Sequence, residues 1–260
     1  MRDQGIWDIL KKKGVLTIKQ KIRVPFFEIG VKNYIYGDAV IEMGLYLDSL
    51  SAKYDVDIIY IVPYTEIRDV ARAAGNLIVL APYMDAIRPG RGMGAVLPES
   101  IKEAGAKGVL MNHCERPMTL SAIKQTIDRA NELDLLTFAC ADSVDEARAI
   151  AALRPDIICP EPTELVGSGN ASDMSYVLEV LKEIREIDPD IIVEQSAGIT
   201  TGEQVFQFIM AGSEGAGAGS GIFTAKDPYA VADEMISNVK KAKDILYKGG
   251  NRHESLQRNP

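Results

Sequence analysis

Eight short apolar runs, each followed by an amphipathic stretch, recur along this chain from residue 25 to residue 247. The runs cover residues 25–32, 57–62, 77–81, 107–112, 136–141, 156–160, 190–194 and 215–219. The stretches with helical spacing cover 38–54, 65–74, 98–104, 119–133, 143–152, 173–187, 202–211 and 228–247. Runs such as Ile58-Ile59-Tyr60-Ile61-Val62 and Leu77-Ile78-Val79-Leu80 are continuous rather than alternating. A strand that is apolar on both faces suits a parallel sheet covered by helices. Eight such βα units in about 225 residues predict one α/β domain over 25–248, a closed (β/α)8 barrel, with a doubly wound open sheet as the structural alternative. Asp38, Ser143 and Thr201-Gly202-Glu203 read as helix starts.

Two segments lie outside the repeat. Residues 1–24 form an N-terminal extension in which Trp7, Ile9 and Leu10 make one amphipathic turn beside Lys11-Lys12-Lys13. It is expected to be a packing arm, with a partner contact or an expression-derived segment as the alternatives. Residues 249–260 are a polar tail, with His253 in it. The net charge of −8 argues against a nucleic-acid partner. No apolar run reaches membrane-spanning length, and the three lysines interrupt any apolar signal core. The three cysteines, Cys114, Cys140 and Cys159, lie at or near the ends of apolar runs without metal-ligand pairing, which predicts free thiols in a reducing, cytoplasmic setting.

The chemistry-bearing residues fall where apolar runs end. His113 follows Val109-Leu110-Met111 and precedes a turn, so a strand delivers an imidazole to its C-terminal end. Alone, such a histidine is as readily a hydrogen-bonded structural residue. Glu161 stands between Pro160 and Pro162, which fix its backbone, and the Gly167-Ser168-Gly169 beyond it can close over a ligand. An isolated glutamate would more often be a solvated loop residue. Lys32 ends the first run and offers a positive charge to an anion at the same mouth, unless it simply snorkels. Gly198 and the glycine-rich 215–221, with Gly219 and Ser220, end the last two runs. The loops there often bind phosphate in barrels of this type, although glycines also relieve crowding in a barrel wall.

Five of these motifs occur in register with one family. Val-Lys-Asn-Tyr (31–34), Asn-His-Cys-Glu-Arg (112–116), Glu-Pro-Thr-Glu-Leu-Val-Gly-Ser-Gly (161–169), Ala-Gly-Ile-Thr-Thr-Gly-Glu (197–203) and Gly-Ser-Gly (219–221) resemble those of triosephosphate isomerases, particularly the compact archaeal branch. The resemblance spans roughly residues 25–240 and implies the TIM barrel and a cofactor-free, metal-free aldose–ketose isomerase. It implies Glu161 as the base, His113 as the electrophile, Lys32 as the electrostatic residue and Glu115 as an acid behind the histidine. It further implies 162–169 as a lid, phosphate near Gly167, Ser168, Gly198, Gly219 and Ser220, and a homodimer or homotetramer. The turn Cys114-Glu115-Arg116-Pro117 is expected to open a short helix whose positive end disfavours imidazolium.

The chain departs from the family's pattern at three places. Gly30 stands where Asn is usual, Pro82 where Gln is usual, and Met93 where the interface loop usually carries Thr. These changes leave open a divergent paralogue acting on a tetrulose or other sugar phosphate, and a non-catalytic phosphate-ligand barrel. A Schiff-base aldolase is disfavoured, because strands 4 to 8 contribute no inward lysine.

Overall fold

The computed structural model describes residues 19–247. Eight strands form a closed parallel barrel in chain order: β1 (Phe26–Gly30), β2 (Ile58–Ile61), β3 (Leu77–Ala81), β4 (Gly108–Met111), β5 (Leu136–Ala141), β6 (Ile157–Pro160), β7 (Ile192–Gln195) and β8 (Gly215–Gly217). β8 returns to pair with β1, Phe26 opposite Gly215 and Glu28 opposite Gly217. The helices are α1 (Asp38–Tyr54), α2 (Ile67–Ala73), α3 (Pro98–Ala104), α4 (Leu120–Glu132), α5 (Val144–Ala151), α6 (Met174–Ile187), α7 (Gly202–Met210), α8 (Ser220–Phe223) and α9 (Pro228–Tyr247). The closed barrel is therefore the architecture, and the open sheet is not.

Two boundaries differ from the sequence expectation. β8 stops at Gly217 rather than 219, because the chain turns at Gly219 into the short α8. Asp38 does not cap α1. Gly37 takes the cap position at φ 60°, and Asp38 occupies the first turn, where its charge meets the helix's positive end. The other two starts behave as expected. The Ser143 hydroxyl accepts the Glu146 N–H at 3.2 Å, and Thr201 forms a capping box with Gln204.

The core has two shells. The larger lies between sheet and helices and includes Phe27, Ile29, Leu47, Ile58, Tyr60 and Val193, all fully buried. The smaller fills the barrel with Phe26, Ile59, Ile61, Ile78, Leu80, Leu136, Phe138, Cys140, Ile157 and Cys159. Burying each large side chain of this kind contributes roughly 1.5–3 kcal/mol. The inner shell is lopsided. Strands β2 to β6 and Phe26 of β1 supply its apolar bulk, whereas further along β1 and on β7 and β8 the inward positions are Glu28, Glu194, Gly215 and Gly217. The glycines make room: a Cβ on Gly215 would stand 2.4 Å from the Phe26 ring. Crowding relief therefore explains Gly215 and Gly217, while Gly219 lies above them at the mouth.

Residues 19–24 run along the N-terminal end of the barrel. Ile22 and Val24 pack against the inner shell, and the Arg23 guanidinium donates to Asp57 at 2.8 Å. Lys19 pairs with Asp156. Trp7, Ile9, Leu10, Lys11-Lys12-Lys13 and the 249–260 tail with His253 lie outside the described residues.

Candidate active site

The C-terminal ends of β1, β4 and β6 carry Lys32, His113 and Glu161 to one mouth. Two of the three are preceded or held by left-handed backbone. Lys32 sits at φ 50° and Asn112 at φ 58°, a region that non-glycine residues enter rarely and often at functional sites. Asn112 tolerates it and is tied on every side. Its amide donates to the Cys140 carbonyl at 3.0 Å and to Glu146 at 3.1 Å, and its oxygen accepts the Met118 N–H at 2.8 Å. This buried asparagine fixes the bend from which His113 projects.

His113 takes one hydrogen bond that decides its tautomer. Its Nδ1 accepts the Glu115 N–H at 3.1 Å, so the proton of the neutral ring resides on Nε2. Burial lowers its pKa and Lys32 lowers it further, against the opposing pull of Glu161 and Glu115. A neutral imidazole with Nε2–H facing the mouth follows. No helix opens at 114–117. Pro117 disfavours helical backbone at Arg116, and a turn closes by the Arg116 N–H on the His113 carbonyl at 2.7 Å. The Glu115 amide fixes the tautomer, and burial and Lys32 disfavour imidazolium.

Glu161 leaves β6 with its N–H on the Ala141 carbonyl at 2.7 Å. Its Oε2 lies 3.9 Å from His113 Nε2. Its Oε1 accepts the hydroxyl of Ser196, which also lies 3.2 Å from Cys159 Sγ. Ser196 was not singled out in the sequence. It follows β7 without a motif that separates it from any polar residue at a strand end. Lys32 Nζ donates to Glu115 at 3.0 Å. Burial lowers the Lys32 pKa, but the bond to Glu115 and the charge of Glu161 outweigh it, so the net shift is upward and the cation is secure.

The glycine loops meet unevenly. Gly198, at φ 69°, lies under the 163–173 loop so closely that a Cβ would stand 1.9 Å from the Asn170 carbonyl oxygen. A Cβ on Gly221 would stand 2.1 Å from the Ile199 carbonyl oxygen. The Gly198 and Gly219-Ser220 loops are thus packed side by side. Gly167 and Ser168 are exposed at the tip of the 163–169 loop. The Ser168 N–H donates to the Leu165 carbonyl at 3.0 Å and its hydroxyl accepts the Asn170 N–H at 3.0 Å. In this conformation the Ser168 N–H and hydroxyl are hydrogen-bonded within their own turn.

The departures have structural settings. Gly30 leaves a gap that the Glu28 carboxyl enters from below, its Oε1 3.1 Å from where a Cβ at 30 would stand. Met93 is fully exposed, on a loop braced by Asp85, whose side chain accepts the Val96 N–H at 2.7 Å. Pro82 follows β3 at the mouth and offers no N–H. Among the described residues, no three His, Cys, Asp or Glu side chains are grouped to hold a metal, and no helix is long and apolar enough to cross a membrane.

Comparison with known proteins agrees with this geometry. The family model for triosephosphate isomerase matches residues 32–236. The triosephosphate isomerase of Sulfurisphaera tokodaii is 36% identical over 86% of this chain and 99% of its own. That of Sulfolobus acidocaldarius is 35% identical over 85% and 97%, and that of Methanothermus fervidus 33% over 83% and 99%. The crystal structure of triosephosphate isomerase from Bartonella henselae superposes with a TM-score of 0.68, at 19% identity, over 84% of this chain and 100% of that one.

Proposed function

The chain belongs to the triosephosphate isomerase family, and we propose from that premise that Glu161, His113 and Lys32 interconvert dihydroxyacetone phosphate and glyceraldehyde 3-phosphate. The enzyme is an aldose–ketose isomerase whose substrate is a sugar phosphate. The observation that carries the residue assignment is the facing pair at the mouth: a carboxylate oxygen and a protonated imidazole nitrogen 3.9 Å apart. Those two groups can address adjacent atoms of one small substrate.

The reaction follows from their chemistry, with the division of labour the family implies. Glu161 removes a proton from the carbon beside the carbonyl, and the electron pair moves onto the carbonyl oxygen to give an enediolate. The Nε2–H of His113 hydrogen-bonds that oxygen and passes its proton between the two oxygens. Glu161 returns its proton to the neighbouring carbon. Lys32 places a fixed positive charge near the developing oxyanion, and Glu115 holds that lysine. Residues 162–169 act as a lid that excludes water from the intermediate. Gly198 and Gly219-Ser220 supply amides for the phosphate, with Gly167-Ser168 joining after the Ser168 turn opens. Met93 and its braced loop serve a homodimer or homotetramer, and the enzyme works in the cytoplasm without a cofactor.

The relatives' shared name does not favour the longer-sugar or binding-only alternatives. The test is kcat/KM for glyceraldehyde 3-phosphate beside tetrulose and pentulose phosphates. Preference for the triose is expected. Turnover of a longer sugar with none of the triose would overturn this reading.

A further inference from the structure

Below the mouth lies a pair of carboxyls that the proposed reaction does not use. Glu28 and Glu194 project into the barrel from β1 and β7, flanking β8 between them. The Glu28 Oε2 and Glu194 Oε1 atoms lie within 2.4 Å of one point, the place where a Cβ on Gly217 would stand. Glu194 is wholly buried, and neither of its oxygens has a hydrogen-bond partner among the described residues. Two buried carboxyls this close do not ionise together. Glu28 is different in one respect: it is 7% exposed. Its other oxygen reaches upward to the gap at Gly30. Lys32 follows just beyond the end of β1, its Cε near the same point beside Gly219 as the Gly30 carbonyl oxygen.

We propose that the Glu28 carboxyl is a further substrate-contacting group, donating a hydrogen bond through the Gly30 gap to an oxygen on the reacting carbons, with the buried Glu194 carboxyl facing it across the Gly217 notch. The chemistry fits the position. Burial pushes the Glu28 carboxyl up to about 8, Glu161 adds to the rise and Lys32 opposes it. Burial and Glu28 hold the Glu194 carboxyl far above the usual carboxylate range. A carboxylic acid kept neutral by an apolar site is a hydrogen-bond donor at pH 7. The ionisable groups around Glu28 are Lys32 on the β1 side, Cys140 on β5, Cys159 and Glu161 on the β6 side and Glu194 on β7. Burial raises both thiols well above their usual value, so they stay neutral. Ionisation of Glu28 would replace a donor by a second anion beside Glu161, facing an enediolate that already carries negative charge.

This inference rests on the triose phosphate reading of the site, and two readouts keep the two apart. The first is kinetic. E28A should lower kcat/KM for dihydroxyacetone phosphate on the order of 10²-fold, the scale of losing one preorganised oxyanion donor. E28Q keeps an N–H donor and should restore most of that loss. It should also abolish the alkaline fall in kcat/KM that Glu28 ionisation imposes on the wild type near pH 8. A packing role alone would lower stability without changing the pH profile. The second readout needs no turnover. Infrared spectra of wild type minus E28Q at pH 7 should isolate a protonated-carboxyl C=O band of Glu28, separate from that of Glu194, that shifts when dihydroxyacetone phosphate is added. Wild type that binds this probe, moves the band and fails to isomerise would defeat the proposed function and leave Glu28 supported. Wild-type kcat/KM and pH profile in both variants, or a band that ignores the probe, would overturn the proposal.

Discussion

Replacing Glu28 by Gln should make stability less sensitive to pH, with a sign and size set by its surroundings. In an unfolded chain this carboxyl titrates near 4.5, whereas in the barrel burial, aided by Glu161 and opposed by Lys32, pushes it up to about 8. The folded state therefore binds the proton more tightly than the unfolded state. Its stabilising contribution is complete below about pH 4.5 and is lost as pH rises through about 8. At about 1.4 kcal/mol per pKa unit, the whole rise corresponds to roughly 5 kcal/mol as an upper bound. Gln cannot ionise, so E28Q loses this slope while Glu194 keeps its own in both proteins. Urea unfolding at pH 5, 7 and 9 reads the effect directly. The two proteins should lie close at pH 5, and the variant should gain on the wild type by several kcal/mol by pH 9, up to the bound just derived. Parallel stability curves across that range would refute the assignment of Glu28 as a protonated acid in the folded barrel.

Three further outcomes follow from the packing and the loops. Gly215→Ala places a methyl 2.4 Å from the fully buried Phe26 ring, and should cost roughly 1–3 kcal/mol of unfolding free energy; an unchanged urea midpoint would mean the notch is looser than it looks. Ser196→Ala removes the hydroxyl that orients Glu161, and should lower kcat about tenfold with KM little changed, since one such bond to a charged group contributes about 1.5 kcal/mol; a change confined to KM would place Ser196 in binding instead. Crystals soaked in inorganic phosphate should show the anion against the Gly198 and Gly219-Ser220 backbone, with the Ser168 turn opened toward it; an anion elsewhere would remove those loops from the phosphate site.

The barrel was legible because its strands are continuous apolar runs, and because Ser143 and Thr201 mark helix starts by hydrogen bonds that those side chains do make. Lys32, His113 and Glu161 were legible from their place at the ends of runs, and the structure brings them to one mouth. What escaped notice was polar residues inside the runs. Glu28 lies within Phe26-Phe27-Glu28-Ile29 and Glu194 within Ile192-Val193-Glu194. A one-dimensional pattern averages them into their apolar neighbours. Only the closed sheet brings the two strands to either side of β8 and shows that the alternation Gly215-Ala216-Gly217 is a notch shaped for Phe26 and two carboxyls. Asn112 and Ser196 were obscured for a related reason: their partners Glu146, Cys159 and Glu161 lie 34, 37 and 35 residues away in the chain. The helix expected after His113 failed on a signal that was present, Pro117, whose restraint on the preceding residue favours a turn.

The central claim is that Glu161 carries the proton between adjacent carbons of a triose phosphate. Turnover of dihydroxyacetone phosphate in D₂O, compared between wild type and E161Q, tests it most directly. The wild type should isomerise the substrate and place solvent deuterium on the reacting carbon. E161Q keeps the shape of the side chain but cannot accept the proton. It should lose both isomerisation and deuterium uptake by at least the 10²–10⁴-fold typical of a general base, on the order expected for such a loss, while still binding inorganic phosphate. A variant that retained more than about a tenth of the wild-type kcat, far short of that scale, would contradict the account.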